Sequence, residues 1–281
     1  MRFGVKTAPM NSSWPDMLAV WKEADSIPLY ETAWNFDHFE PIFSDRTGPC
    51  LEGWSMLAAM AVATSRIRIG CQVTGMPYRH PSVLANMAAT IDVISNGRLI
   101  IGLGAGWNQD ESTALGLTLP PLKDRFDLFD EGCEVIIKLL TETVANFDGT
   151  WFQLRDAHCE PKPIQRPHPP IAIGGTGPKR TLRAVARYAQ HWNAVHRNVD
   201  DWKKSRDILH AHCADIGRDP TEIECSVNLH YRPDAGIGGL VEQAELWSAA
   251  GADVGIVYLP APHSPEPLAA IADALEQHRT T

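Results

Sequence analysis

Three stretches of this 281-residue chain combine residue types and spacings suited to chemistry. The first is Gly102, Gly104 and Gly106, inside IDVISNGRLIIGLGAGWNQDE (91–111). These glycines follow the apolar run Leu99-Ile100-Ile101, where a strand buried on both faces is expected, and they let backbone approach a neighbour where a Cβ would collide. Tight packing at the top of a sheet is one reading. A dinucleotide fingerprint is another, but it needs G-x-G-x-x-G opening a helix. Here GLGAG is followed by Trp107-Asn108-Gln109 rather than a helix start. The third reading is a cofactor loop at the mouth of a barrel.

The second stretch is Gly174-Gly175-Thr176-Gly177-Pro178-Lys179. Pro178 stands where proline favours the first helical position, which puts Lys179 and Arg180 in the first turn. Cations there oppose the helix dipole, and an anion bound at the glycine turn reverses that cost. A phosphate site is therefore expected, although the Walker pattern is absent. A solvated basic helix is the plainer alternative. The third stretch is Asp37-His38. It is either a surface ion pair or a carboxylate and imidazole that hold a cofactor edge and donate a proton. Trp34, Trp54 and Trp107 are candidates to wall an aromatic pocket, or are core.

Strand-like and helix-like segments alternate throughout. Strands are expected at 2–7, 29–35, 66–73, from 99, 170–173, 191–195, 222–229 and 253–259. Among the helices between them, 123–140 is the most clearly amphipathic. Val83, Met87, Ile91 and Ile94 form one helical stripe, and Trp54, Leu57, Ala58, Ala61 and Val62 another. Asn146–Leu154 reads as a small hairpin about Asp-Gly. Eight such alternations predict an α/β fold, a TIM (β/α)8 barrel with short insertions forming one domain over residues 1–281; a doubly wound open sheet is the alternative. In a barrel, Asp37-His38, Cys71–Arg79, Gly104–Glu111 and Gly174–Lys179 all fall in loops after strand C-termini, where barrel enzymes keep their active sites.

Composition narrows the partners. A net charge of −9 argues against nucleic acid and against an acidic membrane surface. No apolar run reaches membrane-spanning length, and MRFGVKTAP lacks a signal-peptide core, so a cytoplasmic protein is expected. The six cysteines contain no C-x-x-C pair, which suits reduced thiols. His210-x-His212-Cys213 reads as a solvated helix face, and no metal is expected.

FDHF (36–39), CLEGWSMLAAMAVATSRIRIG (50–70), YRHPSVLANMAATIDVISNGRLIIGLGAGW (78–107) and PIAIGGTGPKRTLRAVARYAQHWN (170–193) together resemble the luciferase-like monooxygenase superfamily. Within it they are similar to the branch that uses coenzyme F420, an 8-hydroxy-5-deazaflavin. The resemblance covers most of the first 195 residues and is weak beyond about residue 200. It implies a luciferase-like TIM barrel, usually a homodimer, with the deazaflavin ring at the strand C-termini. Asp37 would contact the ring region and His38 would be the proton donor. Thr74 would lie beside the ring, next to a non-prolyl cis peptide near Cys71-Gln72. Ala105, Gly106 and Asp110 would border the cofactor chain, and Gly174, Gly175, Thr176, Gly177 and Pro178 would receive its phosphate.

One departure matters. The sugar-phosphate dehydrogenase branch has a catalytic glutamate directly after the fourth-strand glycines, where this chain has Trp107; Asp110 and Glu111 come later. The expected activity is hydride transfer between reduced F420 and a small organic substrate. The alternatives are an FMN-dependent two-component monooxygenase on the same fold and a non-catalytic deazaflavin-binding protein. A phosphate-binding aldolase is disfavoured, Lys6 being its only partial candidate.

Overall fold

A computed structural model describes residues 1–279. Eight parallel strands close on themselves: β1 Arg2–Lys6, β2 Tyr30–Asn35, β3 Arg68–Cys71, β4 Leu99–Gly104, β5 Ile171–Gly174, β6 His191–Ala194, β7 Glu224–His230 and β8 Val254–Tyr258. Closure is by β8 pairing with β1, Lys6 lying level with Tyr258. The connecting helices are α1 Trp14–Ser26, α2 Gly53–Ala63, α3 Pro81–Ile94, α4 Gln109–Ala114, α5 Leu122–Thr141, α6 Thr181–Tyr188, α7 Val199–Asp215, α8 Gly236–Ala250 and α9 Leu268–Arg279. The expected hairpin is present as an antiparallel pair, Ala145–Asp148 with Gln153–Ala157, inserted before β5.

Alternation along the strands sorts side chains into two layers. Phe3 and Val5 of β1, Leu99, Ile101 and Leu103 of β4, and Val227 and Leu229 of β7 join the core between strands and helices. The inward positions differ. Trp34, Ile100, Ala172, Val254 and Ile256 fill the lower barrel as a separate cluster. Gly70 makes room for the Trp34 ring, since a Cβ there would come within 2.6 Å of it. Trp34 is thus a plug of the barrel, not a wall of a pocket. Above the plug the barrel is open.

Several helix starts are written in the sequence. Ser13 and Asp16 form a capping box on α1, and Glu52 accepts the Trp54 and Ser55 amides at the start of α2. Other boundaries differ from expectation. β4 runs on through Gly102 and Gly104, because a Cβ at Gly102 would lie 1.6 Å from the Cys71 carbonyl oxygen: that glycine serves strand packing. A short helix, α4, does begin after the string, its amide at Glu111 accepted by the Asn108 side chain. On α3 the buried face is Leu84, Ala85, Ala88 and Ile91, whereas Val83 and Ile94 face outward. Small alanines bring that helix close to the barrel and leave the two ends of the larger stripe, Val83 and Ile94, exposed. Val62 of α2 points outward as well.

Candidate active site

The open end of the barrel holds a cavity of about 790 Å³, lined from all eight strand ends or the loops after them. Its wall on the β3–β5 side is small and apolar. Val73 stands between Gly104 and Gly174, and a Cβ on either glycine would come within 2.8 Å or 3.2 Å of a Val73 methyl. Ala105 and Gly106 continue this wall, Gly106 with φ +85. The non-prolyl cis bond falls at Gln72-Val73, one residue after the expected place.

Gln72 opens onto the cavity with a defined orientation. Lys6 Nζ donates to the Gln72 carbonyl oxygen at 3.0 Å and to its Oε1 at 3.2 Å, which leaves Gln72 Nε2 buried and without an acceptor. On a residue that lines the cavity, such a buried unsatisfied donor is one that a ligand acceptor would satisfy.

His38 lines the same cavity from the loop after β2. Its Nδ1 lies 2.8 Å from Glu111 Oε2, which also accepts from the Tyr78 hydroxyl at 2.6 Å. Glu111 Oε1 accepts the Phe39 amide at 2.7 Å. Burial pushes the Glu111 carboxyl up, but the hydrogen bonds from His38, Tyr78 and Phe39 outweigh it and hold it below the usual range. An ionised carboxylate therefore holds one imidazole nitrogen and leaves Nε2 for the cavity. Trp107 packs edge-on to His38 at 5.6 Å and stacks on Phe43, forming part of the rim.

The remaining expected residues are placed as follows. Asp37 is fully buried and does not line the cavity. It forms a two-pronged ion pair with Arg79, one arm at 2.9 Å, and Arg79 also binds Glu52, the cap of α2. Cys71 and Thr74 are fully buried too; Thr74 Oγ1 accepts from Trp54 Nε1 at 2.7 Å, which puts Trp54 in the core. Asp110 faces solvent on the first turn of α4, with Glu111 turned inward instead. Gly174 and Gly175 line the cavity, and Thr176, Gly177 and Pro178 lead the chain away from it.

Helix α6 starts at Thr181, so Pro178 sits in the preceding turn rather than at the first helical position. The arginines are not free: Arg180 pairs with Asp127 and Asp130, Arg183 with Asp130, and Arg187 with Glu134, all on α5, while Lys179 is exposed in the turn. The Gly175 amide donates to Asn193 O at 3.1 Å. An anion at this turn would have the amides that follow it, the helix dipole and the exposed Lys179. At α7, His212 Nε2 sits 2.8 Å from the Pro178 carbonyl oxygen and Cys213 is buried; no metal-binding cluster occurs among the described residues.

Glu111, Tyr78 and Lys6 are the site residues that the sequence did not single out for these positions. One local signal pointed to Glu111: Asn108-x-x-Glu111 is a helix-start pattern that turns position 111 back toward the preceding loop.

The luciferase-like monooxygenase family model matches residues 1–278. An uncharacterized protein of Mycobacterium tuberculosis is 36% identical over 157 residues, an alignment covering 56% of this chain but only 54% of that relative's length. An F420-dependent glucose-6-phosphate dehydrogenase of Microbacterium testaceum is 30% identical over 253 residues, covering 88% of this chain and 73% of the relative. Among solved structures, an F420-dependent secondary alcohol dehydrogenase in complex with an F420-acetone adduct superposes with a TM-score of 0.86 over 98% of both chains at 18% identity, a likeness of fold. With a closed parallel barrel, its cavity at the strand C-termini and a match along nearly its whole length, the chain belongs to the luciferase-like monooxygenase family.

Proposed function

We propose that the protein is an oxidoreductase that uses coenzyme F420 to move a hydride to or from a small organic substrate. The observation that carries the reading is His38: an imidazole at the cavity, one nitrogen fixed by a buried ionised glutamate, the other facing the space where substrate would lie.

The residues present fit a deazaflavin. Val73, framed by Gly104 and Gly174, makes a wall against which a flat ring can lie, and a side chain on either glycine would crowd that wall. The unpaired Gln72 Nε2 suits an acceptor on the ring. The turn Gly175–Pro178 leads from the cavity to the start of α6, where a phosphate on the cofactor chain would be favoured by the dipole. When bound, the deazaflavin supplies the two-electron hydride chemistry. The protein's part is position and protons. Glu111 holds the His38 ring, and His38 Nε2 gives or takes a proton at the substrate oxygen or nitrogen. Trp107, Phe43 and Phe129 supply apolar surface that excludes water.

A homodimer is part of this reading, supported by the outward apolar residues of the adjacent helices α2 and α3, notably Val62 at 76% and Val83 at 54% exposure. A cytoplasmic setting is proposed with it; among the described residues no helix is long and apolar enough to cross a membrane, and all six cysteines are free. The test is titration of purified apo-protein with F420, FMN, NADH and NADPH. F420 should bind tightest. FMN binding tighter than F420 would overturn the reading in favour of an oxygen-using monooxygenase.

A further inference from the structure

The inner face of the barrel is divided. On β3–β5 the inward positions are Gly70, Gly102, Gly104 and Gly174, with Ile100 and Ala172 below. On β6, β7 and β1 they are polar: Asn193, Ser226, Asn228, His230 and Lys6. Lys6, Tyr258 and His230 stand level on three adjacent strands, Lys6 being paired in register with Tyr258 and Tyr258 with His230. Lys6 Nζ lies 5.3 Å from the centre of the Tyr258 ring, and the His230 ring is 5.3 Å from it on the other side. Arg197, from the loop after β6, completes this side of the cavity.

The charge here is unusual. Asp and Glu outnumber Lys and Arg by 34 to 25 in the chain, yet no carboxylate lines the cavity, while Lys6, Arg197 and His230 all do. Every other described arginine side chain has a hydrogen-bond acceptor: Arg2, Arg79, Arg180 and Arg218 reach carboxylates, and Arg66 and Arg98 reach backbone carbonyls. Arg197 alone, among the described arginine side chains, has none. Lys6 is buried, and its only hydrogen-bond acceptors are the neutral oxygens of Gln72. Burying an ammonium without a counter-charge is costly. Two cations, and an imidazole that burial and those cations hold below its usual range, converge on one cavity without a carboxylate, which an incoming anion would compensate.

We propose that the β6–β8–β1 side of the cavity is an anion subsite, in which Arg197, Lys6 and His230 receive the carboxylate of a small organic acid substrate. This rests on reading the glycine wall as the cofactor's side. In an eight-stranded barrel β1 stands opposite β5, which separates Lys6 from the Gly175–Pro178 turn; Arg197, after β6, stands nearer that turn, and its effect on F420 affinity is therefore part of the test. Lys6 reaches the Gln72 end of the glycine wall, where its Nζ donates to the Gln72 carbonyl oxygen, while Arg197 and His230 line the cavity from the loop after β6 and the end of β7, so a bound acid would bridge these groups beside the ring's wall and the imidazole. A carboxylate matches the group better than a phosphate dianion does, because Arg197 is the only fixed full charge that no protein group already holds.

The experiment is calorimetric titration of the protein, with and without F420, using cinnamate, its uncharged isostere cinnamamide, and phenyl phosphate as probes. Cinnamate should bind at least about tenfold more tightly than cinnamamide, as expected for one charge-assisted hydrogen bond. Arg197→Gln should abolish that preference while F420 affinity stays within about twofold. Arg197 is exposed at the rim, so this variant folds even if Lys6→Met does not. Equal affinity for acid and amide, no measurable cinnamate binding, or a preference for phenyl phosphate would overturn the proposal. So would loss of F420 affinity in Arg197→Gln, which would assign the cluster to the cofactor. If F420 fails to bind while the acid is still preferred over the amide, the cofactor reading falls and the anion subsite stands.

Discussion

Removing the imidazole at position 38 separates protonation from binding. His38→Ala should lower the single-turnover rate by roughly 10²–10⁴, with F420 affinity nearly unchanged; an unchanged rate would move the proton donor elsewhere. Glu111→Gln keeps an acceptor for the ring but loses the charge, so the rate should fall by about tenfold while F420 affinity holds. Asp37 behaves differently. Its carboxylate is fully buried against Arg79, and removing it leaves that mostly buried guanidinium with Glu52 as its remaining carboxylate partner. Asp37→Ala should cost about 2–3 kcal/mol of stability, seen as a fall in Tm of roughly 5–10 °C. A selective loss of cofactor affinity at unchanged Tm would instead restore Asp37 as a ligand contact. Lys6 offers a pH test. Burial pushes its ammonium down from 10.5 to about 8. Between those values the unfolded chain holds more protons than the folded one, so stability rises with pH through that window, and the cost of the buried charge is fully present below it. The Tm difference between Lys6→Met and wild type should therefore shrink as pH is raised from 8 toward 10. A constant difference would mean that Lys6 keeps its proton.

At the scale of elements, the glycine turn after β5 and the arginines of α6 make separable predictions. Gly175 has φ +116, a conformation that valine resists. Gly175→Val should weaken F420 binding by at least about tenfold and leave a folded barrel. Arg180→Ala should leave F420 affinity alone, because that guanidinium is held by Asp127 and Asp130 of α5, and should lower Tm slightly. A loss of affinity in Arg180→Ala would contradict this assignment. These two residues also mark how far local pattern reaches. The turn was legible because glycine and proline report backbone geometry directly. The fate of Arg180 was not, because its partners lie 50 and 53 residues away on another helix. The same holds at His38, whose link to Glu111 spans 73 residues. On α3 the stripe Val83, Met87, Ile91 and Ile94 had the right period, yet only Ile91 is buried while Val83 and Ile94 face outward: periodicity identifies a helix, but an alanine face can win the barrel side when close approach is what packs.

The whole molecule was the most legible level. Eight alternating segments and the placing of their unusual residues after strand ends require no knowledge of partners, and the closed barrel follows from strand order alone. What the chain could not display was the division of the barrel's interior, which exists only once β1 and β8 are side by side. Hydride transfer without oxygen is the chemistry proposed for this barrel. Anaerobic single turnover with reduced F420, offered enones, imines and nitro compounds, tests it most directly. At least one acceptor class should be reduced as F420 is oxidised in equal amount, with oxygen absent and the rate strongly reduced in His38→Ala. Product that forms only when oxygen is admitted, and faster with reduced FMN than with reduced F420, would contradict it.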